Sequence, residues 1–523
     1  MRTSAVVEVP FASMARLDVQ QLKVREVIED YRAGRLVIPE FQREYVWKPS
    51  RAARLVDSLY RSFPVSVFLI WDSPSELRPR RRDPRPMRGG TCAWLIDGQQ
   101  RVITLSRRVS GDEGIDVIFH PEEDRFRLAS SATQQDSNWF HVSHLLDDKT
   151  YRLIRRALPE GPHGQAREAK FDRVRRILDY EIPVVRMIDH SFEEAVDAFT
   201  RINTLGTRLK MEDIESARLA AQHSGFIPDE VIPFVTKLRS EGFSRLNAMH
   251  LFRACGFVAV PDGRMRPLHR LGLKEITAAW ARTKKATEEA IAIVRNEFGL
   301  VNMDILWSGA LIVPVIALCA STSQQTRDPG AIAGWLALAA LSHRYSHATE
   351  SALDQDLRAF RFDDPIEKLL ANLRRDAEGL RANPSDFNSG LHDRGAIFAV
   401  YIACRQMGLL DLFTGTRILL QSNVDRHHIM PRAQFLQKDR AGADTVANIG
   451  FINGETNRSV GAASPEVYLE KLSREVLTSQ CIPQDRELWR IDRAETFWQE
   501  RRALLARAFN DFLKSKLRGR RID

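Results

Sequence analysis

Between about residues 215 and 415, apolar positions recur every three to four residues almost without a break. That is the period of one buried helical face, and it excludes a β-sandwich or barrel for the middle of the chain. The spacing predicts helices over 234–238, 246–257, 275–298, 305–320, 332–343, 351–360, 365–382 and 394–407, with no internal repeat. On either side, alternating and helical stretches are mixed. The expected class is therefore α+β and multidomain, with an all-helical middle. At 523 residues the chain is too long for one core; the boundaries read as 1–220, 221–415 and 416–523. The most lipid-like run, 310–320, is interrupted by Pro314 and is too short for a bilayer, which needs ~20 residues. It is expected as a buried helix, and no membrane partner is expected.

The chemistry-bearing stretch lies C-terminal to the helical block: Val424-Asp425-Arg426-His427-His428-Ile429-Met430-Pro431, then Asn448-Ile449-Gly450-Phe451-Ile452-Asn453, then Glu455-Thr456-Asn457-Arg458. Apolar flanks make the first two segments strands, and the interval leaves room for a hairpin with a helix packed across it. Adjacent strand residues point to opposite faces, so Asp425 and His427 share one face and His428 takes the other unless a bend brings it round. An imidazole free to deprotonate water, beside O and N ligands for a hard divalent cation, suits metal-assisted hydrolysis. The five cysteines form no C-x-x-C pair, so no zinc knuckle supports the hairpin. After it, a helix is expected from Ser464-Pro465-Glu466 to near 472, and a last one over 494–517 with Phe497, Trp498, Phe509 and Phe512 on its packing side.

This stretch resembles the HNH, or ββα-metal, nuclease motif in its His-His-Ile-x-Pro…Asn-Ile…Asn-Arg (DUF1524-like) form. The resemblance implies His428 as general base, and His427 and Asn457 as ligands of Mg²⁺ or Mn²⁺. Asn448 would brace the loop and the base, Asp425 would be an outer or extra ligand, and Arg458 would meet a phosphate. Many members carry Asp where this chain has His427, which makes the ligand set less acidic.

Near the N-terminus, 19–34 reads as an amphipathic helix ended by Gly34, 36–47 as a strand leading into a polar, aromatic loop, and 50–60 as a helix capped by Ser50. Strands follow over 65–71 and 92–96. Between them, six arginines in eleven residues (Arg78 to Arg88, including Arg81 and Arg82) are threaded with prolines. That composition rules out helix and sheet; it is an exposed cationic loop, either simply solvated or in contact with DNA phosphates. The second strand runs into Asp97-Gly98-Gln99-Gln100-Arg101 and a helix. A strand, a glycine turn and a helix start can present N–H groups to an anion or be a simple turn, and the sequence is neither a Walker A nor a G-x-G-x-x-G.

Ile38-Pro39-x-Phe41-Gln42-Arg43-x-Tyr45-Val46-Trp47, the Asp97–Arg101 pentapeptide and Phe199-x-Arg201-Ile202-Asn203-x-x-Gly206-Thr207-x-Leu209 occur in that order. Over about 15–220 they resemble the DUF262 domain, a ParB/sulfiredoxin-like fold of restriction and phage-defence systems of the GmrSD and SspE type. The resemblance implies binding and hydrolysis of GTP or ATP. Asp97, Gly98, Gln99, Gln100 and Arg101 would handle phosphates and metal, Gln42 and Arg43 would line the pocket, and Arg201 and Asn203 would add phosphate or DNA contacts.

A net charge of +9 permits a polyanionic partner without demanding one, because both signs are mixed along the chain. Scattered cysteines suit a reducing cytoplasm. His141, His144 and His163 have no convergent partners. His343 and His347, four apart on one helical face, lack a third metal ligand. Two function classes follow. The first is a nucleotide-regulated, metal-dependent endonuclease acting on double-stranded phage or modified DNA, with other defence proteins or a second copy as further partners. The second is a non-catalytic, nucleotide-gated DNA-binding subunit. In a variant of the first, the N-terminal domain is only a passive phosphate binder.

Overall fold

The computed structural model describes residues 15–40, 42, 45, 47–73, 92–108, 117–130, 133, 136–191, 194–195, 197–198, 201, 211–223, 225–260, 267–346, 348–376, 380–418, 424–435, 442–453 and 464–520. The chain divides into two compact units, Met1–Val231 and Ile232–Asp523. The expected hairpin and, from residue 232 on, the expected helical block fall in the second, so the boundary lies eleven residues later than the expected 220/221.

The first unit contains β1 (Arg16–Lys23), α1 (Val24–Arg32), β2 (Leu36–Val37), α2 (Pro49–Tyr60), β3 (Phe68–Ser73), β4 (Cys92–Asp97) and α3 (Gln99–Ile103). It continues with β5 (Val117–His120), β6 (Arg125–Leu128), β7 (Phe140–His141), α4 (Val142–Leu146), α5 (Asp148–Arg156), α6 (Pro162–Arg175), β8 (Glu181–Ile188) and α7 (Met211–Gln222). Its main sheet has the order β1-β8-β3-β4-β2, with β1/β8 and β3/β4 antiparallel and β3/β8 and β2/β4 parallel. A smaller sheet runs β6-β5-β7. Val24, Val27, Ile28 and Tyr31 form the buried stripe of α1 and join Val56, Phe68, Leu95, Phe171 and Val184 in one core.

The helix expected from residue 19 starts five residues later. Residues 16–23 instead form an edge strand in register with β8, from Arg16 opposite Ile188 to Lys23 opposite Glu181. Leu17 and Val19 stay exposed, so they lie outside the apolar stripe that begins at Val24. The hydrogen bonds offered by β8 decide this segment, and local periodicity could not reveal them. Ser50 lies inside α2, whose cap position is Lys48 with Pro49 at the first turn.

The second unit holds α8 (Ile232–Ser240), α9 (Ala248–Val258), α10 (Leu273–Phe298), α11 (Val313–Ser321), α12 (Pro329–Leu341), α13 (Thr349–Leu357), α14 (Pro365–Asp376) and α15 (Arg394–Gln406). After these come β9 (Val424–His428), β10 (Ile449–Asn453), α16 (Pro465–Leu469), α17 (Arg474–Ser479) and α18 (Ala494–Lys516). Residues 313–319 and 331–340 are buried throughout, so α11 and α12 are the inner helices. Among the described residues no helix is long and apolar enough to cross a membrane. His343 lies beyond the end of α12 with φ 53°, not on a helical face, and His347 is outside the described residues. The pair expected at helical spacing is therefore absent from α12.

Candidate functional site

The two C-terminal segments pair as an antiparallel hairpin. His428 is opposite Ile449, His427 opposite Gly450 and Asp425 opposite Ile452, with no register shift. Alternation along β9 puts Asp425 and His427 on one face, and His428 ends the strand on the other. The His427 ring stands edge-on to Phe413, with ring centres 5.0 Å apart. Burial, helped by the neighbouring His428, pushes its pKa down to about 4, so the imidazole is neutral at pH 7 with a lone pair to offer.

His428 Nε2 lies 3.1 Å from Asp444 Oδ1, and the same carboxylate faces Arg432 at 3.4 Å. A carboxylate oxygen accepts hydrogen bonds, so Nε2 is the donor in this contact, and in the neutral ring that leaves the lone pair on Nδ1. Asp444 was not among the residues singled out from the sequence. Its one signal there is an acid four positions ahead of Asn448.

Asn448 is fully buried. Its Oδ1 accepts from Met430 N (2.8 Å), and its Nδ2 donates to the carbonyls of Met430 (2.9 Å) and Ala443 (2.9 Å). It thus joins the turn after His428 to the segment carrying Asp444. A second brace comes from α18. Arg501, with no exposed surface, donates to the carbonyls of Ala447 (2.6 Å), Ile449 (2.7 Å) and Gln480 (3.0 Å). Gln480 in turn bonds both the N–H and the C=O of Phe451. Sequence reasoning passed over Arg501, although it sits four residues after Phe497 and four before Leu505, a cation on an apolar stripe.

Asn457 and Arg458 lie outside the described residues, as do Arg43, Arg81, Arg82 and Asn203. Among the described residues no group of three or more His, Cys, Asp or Glu is placed to hold a metal. Asp425 and His427 are the donors that one face of β9 offers, a carboxylate and an imidazole, and such a pair could hold a hard divalent ion completed by a third ligand and water. Arg201 is exposed and paired with Asp197 at 2.8 Å.

In the first unit, β4 ends at Asp97 and turns through Gly98 (φ 108°) into α3. A Cβ at position 98 would lie 2.4 Å from Phe68 Cδ1, so only glycine fits. The Gln42 side chain donates to Ile96 O at 2.8 Å, which sets the Pro-x-Phe-Gln segment against this turn. Gln99 and Gln100 are buried. Arg101 does not present a free guanidinium. It donates to Val65 O (2.6 Å), Val67 O (2.8 Å) and Asp97 Oδ2 (3.1 Å), and lies over the Phe68 ring. Asp97 keeps part of its side chain in solvent. The turn thus gathers Gln42 and residues 97–101, with the arginine facing inward.

Residues 24–220 match the family model of the GmrSD restriction endonuclease N-terminal domain. The GmrSD-type stretch begins with the first residue of α1 and ends within α7, so its limits follow the first compact unit. It includes Gln42, the 97–101 turn and Arg201, the segments on which the DUF262 resemblance rests. The chain is also similar to an uncharacterized protein of Methanocaldococcus jannaschii, 20% identical over 84% of this chain and 84% of that protein. This similarity extends well beyond the GmrSD-type domain.

Proposed function

We propose that the chain is a metal-dependent DNA endonuclease of the restriction type, controlled by GTP or ATP at the N-terminal turn and directed at phage or modified double-stranded DNA. Similarity to a restriction endonuclease domain supports DNA as the substrate. The observation that carries the catalytic reading is the His428–Asp444 contact at the end of an unbulged hairpin. A base oriented by a carboxylate is the arrangement that general-base activation of water requires.

With Nε2 holding its proton against Asp444, Nδ1 of His428 takes a proton from the attacking water. His427, Asp425 and Asn457 would hold Mg²⁺ or Mn²⁺, which when bound stabilises charge on the phosphate and the leaving 3′ oxygen. Asn448 keeps the base and its carboxylate in register, and the hydrophobic packing behind the hairpin excludes water from its rear. Arg458 would contact the scissile backbone, and Arg81, Arg82, Arg201 and Asn203 would track phosphates further away.

Plasmid nicking with Mg²⁺ or Mn²⁺ tests this. His428→Ala abolishes nicking while the fold is retained, and Asp444→Asn lowers the rate without abolishing it. Nicking by His428→Ala at the wild-type rate would remove the base assignment. The inward-facing Arg101 favours a second reading of the N-terminal turn, as a nucleotide binder with no hydrolysis. Phosphate release from GTP and ATP, compared with Asp97→Ala, separates the two.

A further inference from the structure

The second unit contains a cavity of about 470 Å³, lined by Arg245, Trp307, His343, His392, Asp393 and Arg394 among others. Its charge is one-sided. Among the described residues neither Arg245 nor Arg394 forms an ion pair with a carboxylate, and Arg394 is exposed at the cavity edge. Arg245 is fixed by one bond, Nε to Met303 O at 3.0 Å, which leaves the fork of its guanidinium uncommitted. Burial pulls the Arg245 pKa down, and the nearby Arg394 pulls it down further, against a weaker opposing pull from Asp304. A half-buried guanidinium with a second arginine beside it is costly in a resting protein, and a bound anion relieves that cost.

The one acid among these lining residues is already engaged. Asp393 Oδ1 accepts from Ala396 N at 2.9 Å at the start of α15, and His343 Nε2 faces it at 3.2 Å. Burial alone would raise the Asp393 carboxyl, but these contacts hold its pKa at about 2. The hydrogen bond to Asp393 raises the His343 pKa against its own burial. Gly395 makes the contact possible: a Cβ there would lie 2.4 Å from Ala340 O and 2.9 Å from His343 Cε1. Opposite, the Trp307 indole is anchored through Nε1 to Ala340 O at 3.3 Å and provides an aromatic wall 6.0 Å from the His343 ring.

Unpaired guanidinium groups beside an anchored indole suit one ligand chemistry, a phosphate attached to an aromatic base. We infer that this cavity binds a nucleotide phosphate, either of a free nucleotide or of a nucleotide within a DNA strand, at a site separate from the Asp97–Arg101 turn. The inference does not rest on the nuclease reading, since it uses no residue of the hairpin.

The test uses the full chain with two probes, ATP and a short fluorescein-labelled single-stranded oligodeoxynucleotide. Affinity is measured by calorimetry and anisotropy, and hydrogen exchange is followed in peptides covering 340–346 and 390–397. Arg394→Glu reverses an exposed, unpaired charge and leaves the fold intact; Arg245→Gln is the second variant. The site is expected to be protected by one probe, whose binding there weakens about tenfold in either variant. Protection by ATP identifies a free nucleotide as the ligand, and protection by the oligonucleotide alone identifies a DNA strand. If neither probe slows exchange in these peptides, and both variants bind both probes within about twofold of wild type, the inference is overturned.

Discussion

Replacing Asn448 by alanine removes three buried hydrogen bonds at once. Met430 and Ala443 have no exposed surface, so the Met430 N–H, its carbonyl and the Ala443 carbonyl are left without the side chain that satisfies them. A typical bond contributes about 1 kcal/mol net, and an orphaned buried group costs about 1–3 kcal/mol. The local cost is therefore on the order of 3–5 kcal/mol, a large part of the ~5–15 kcal/mol that holds a domain together. Native-state hydrogen exchange reads this directly. The Ile429 amide, bonded to Asn448 O at 2.8 Å, and the Phe451 amide, bonded to Gln480, should exchange roughly a hundredfold faster or more. Metal-dependent nicking should fall in parallel, because Asp444 directly follows Ala443 and loses its hold on His428. Asn448→Asp keeps the acceptor for Met430 N–H but turns a buried carboxylate toward two carbonyls, and should be no better tolerated. A loss under about 1 kcal/mol, or full nicking by a folded Asn448→Ala protein, would refute the bracing argument.

Arg501→Met leaves three buried carbonyls without their donors and should cost about 3–5 kcal/mol, read as a lower Tm with loss of nicking. Arg501→Lys should rescue little, since one ammonium lacks the fork that spans those carbonyls. Gly98→Ala forces a side chain into φ 108° and against Phe68, which should destabilise the first unit by about 1–3 kcal/mol or more, measured by thermal melting. The pH dependence of stability should carry the mark of His250. Burial, with Arg253 adding to it, lowers its pKa from 6.5 to about 4. The unfolded chain thus takes up this proton near 6.5, whereas the folded chain does not until about 4. The stability is fully present above 6.5 and falls by about 3 kcal/mol as pH drops to 4. Denaturant midpoints for His250→Gln between those pH values should show a correspondingly flatter slope, and an unchanged slope would exclude His250 as the source.

The parts legible in the sequence were those with a short period or a local signature. The helical block, the buried 310–320 run and the two strands around His427 and Asn448 all follow from side-chain spacing; each predicted stretch of the block holds a helix, but the one expected over 305–320 begins only at Val313 and the one expected over 365–382 spans Pro365–Asp376. The last helix follows from spacing too, with Phe497, Trp498, Phe509 and Phe512 all buried. Long-range decisions were hidden. Residues 16–23 are a strand only because β8 is beside them, a pairing 158 residues apart where Lys23 faces Glu181. Asp444 matters through where its loop is tied down, not through any motif. That Arg101 also ties down the carbonyls of Val65 and Val67 was hidden, because no local pattern announces the approach of that segment.

The hairpin draws its rigidity from a guanidinium that arrives 48 residues after β10 ends. A nascent or truncated chain that stops before Arg501 contains both histidines, Asp444 and Asn448, but not the group that gathers the carbonyls of 447, 449 and 480. Those side chains would be present without the fork that ties their hairpin together. The hairpin's firmness is thus set by the last helix of the chain, and a shortened form is expected to hold its two strands less tightly.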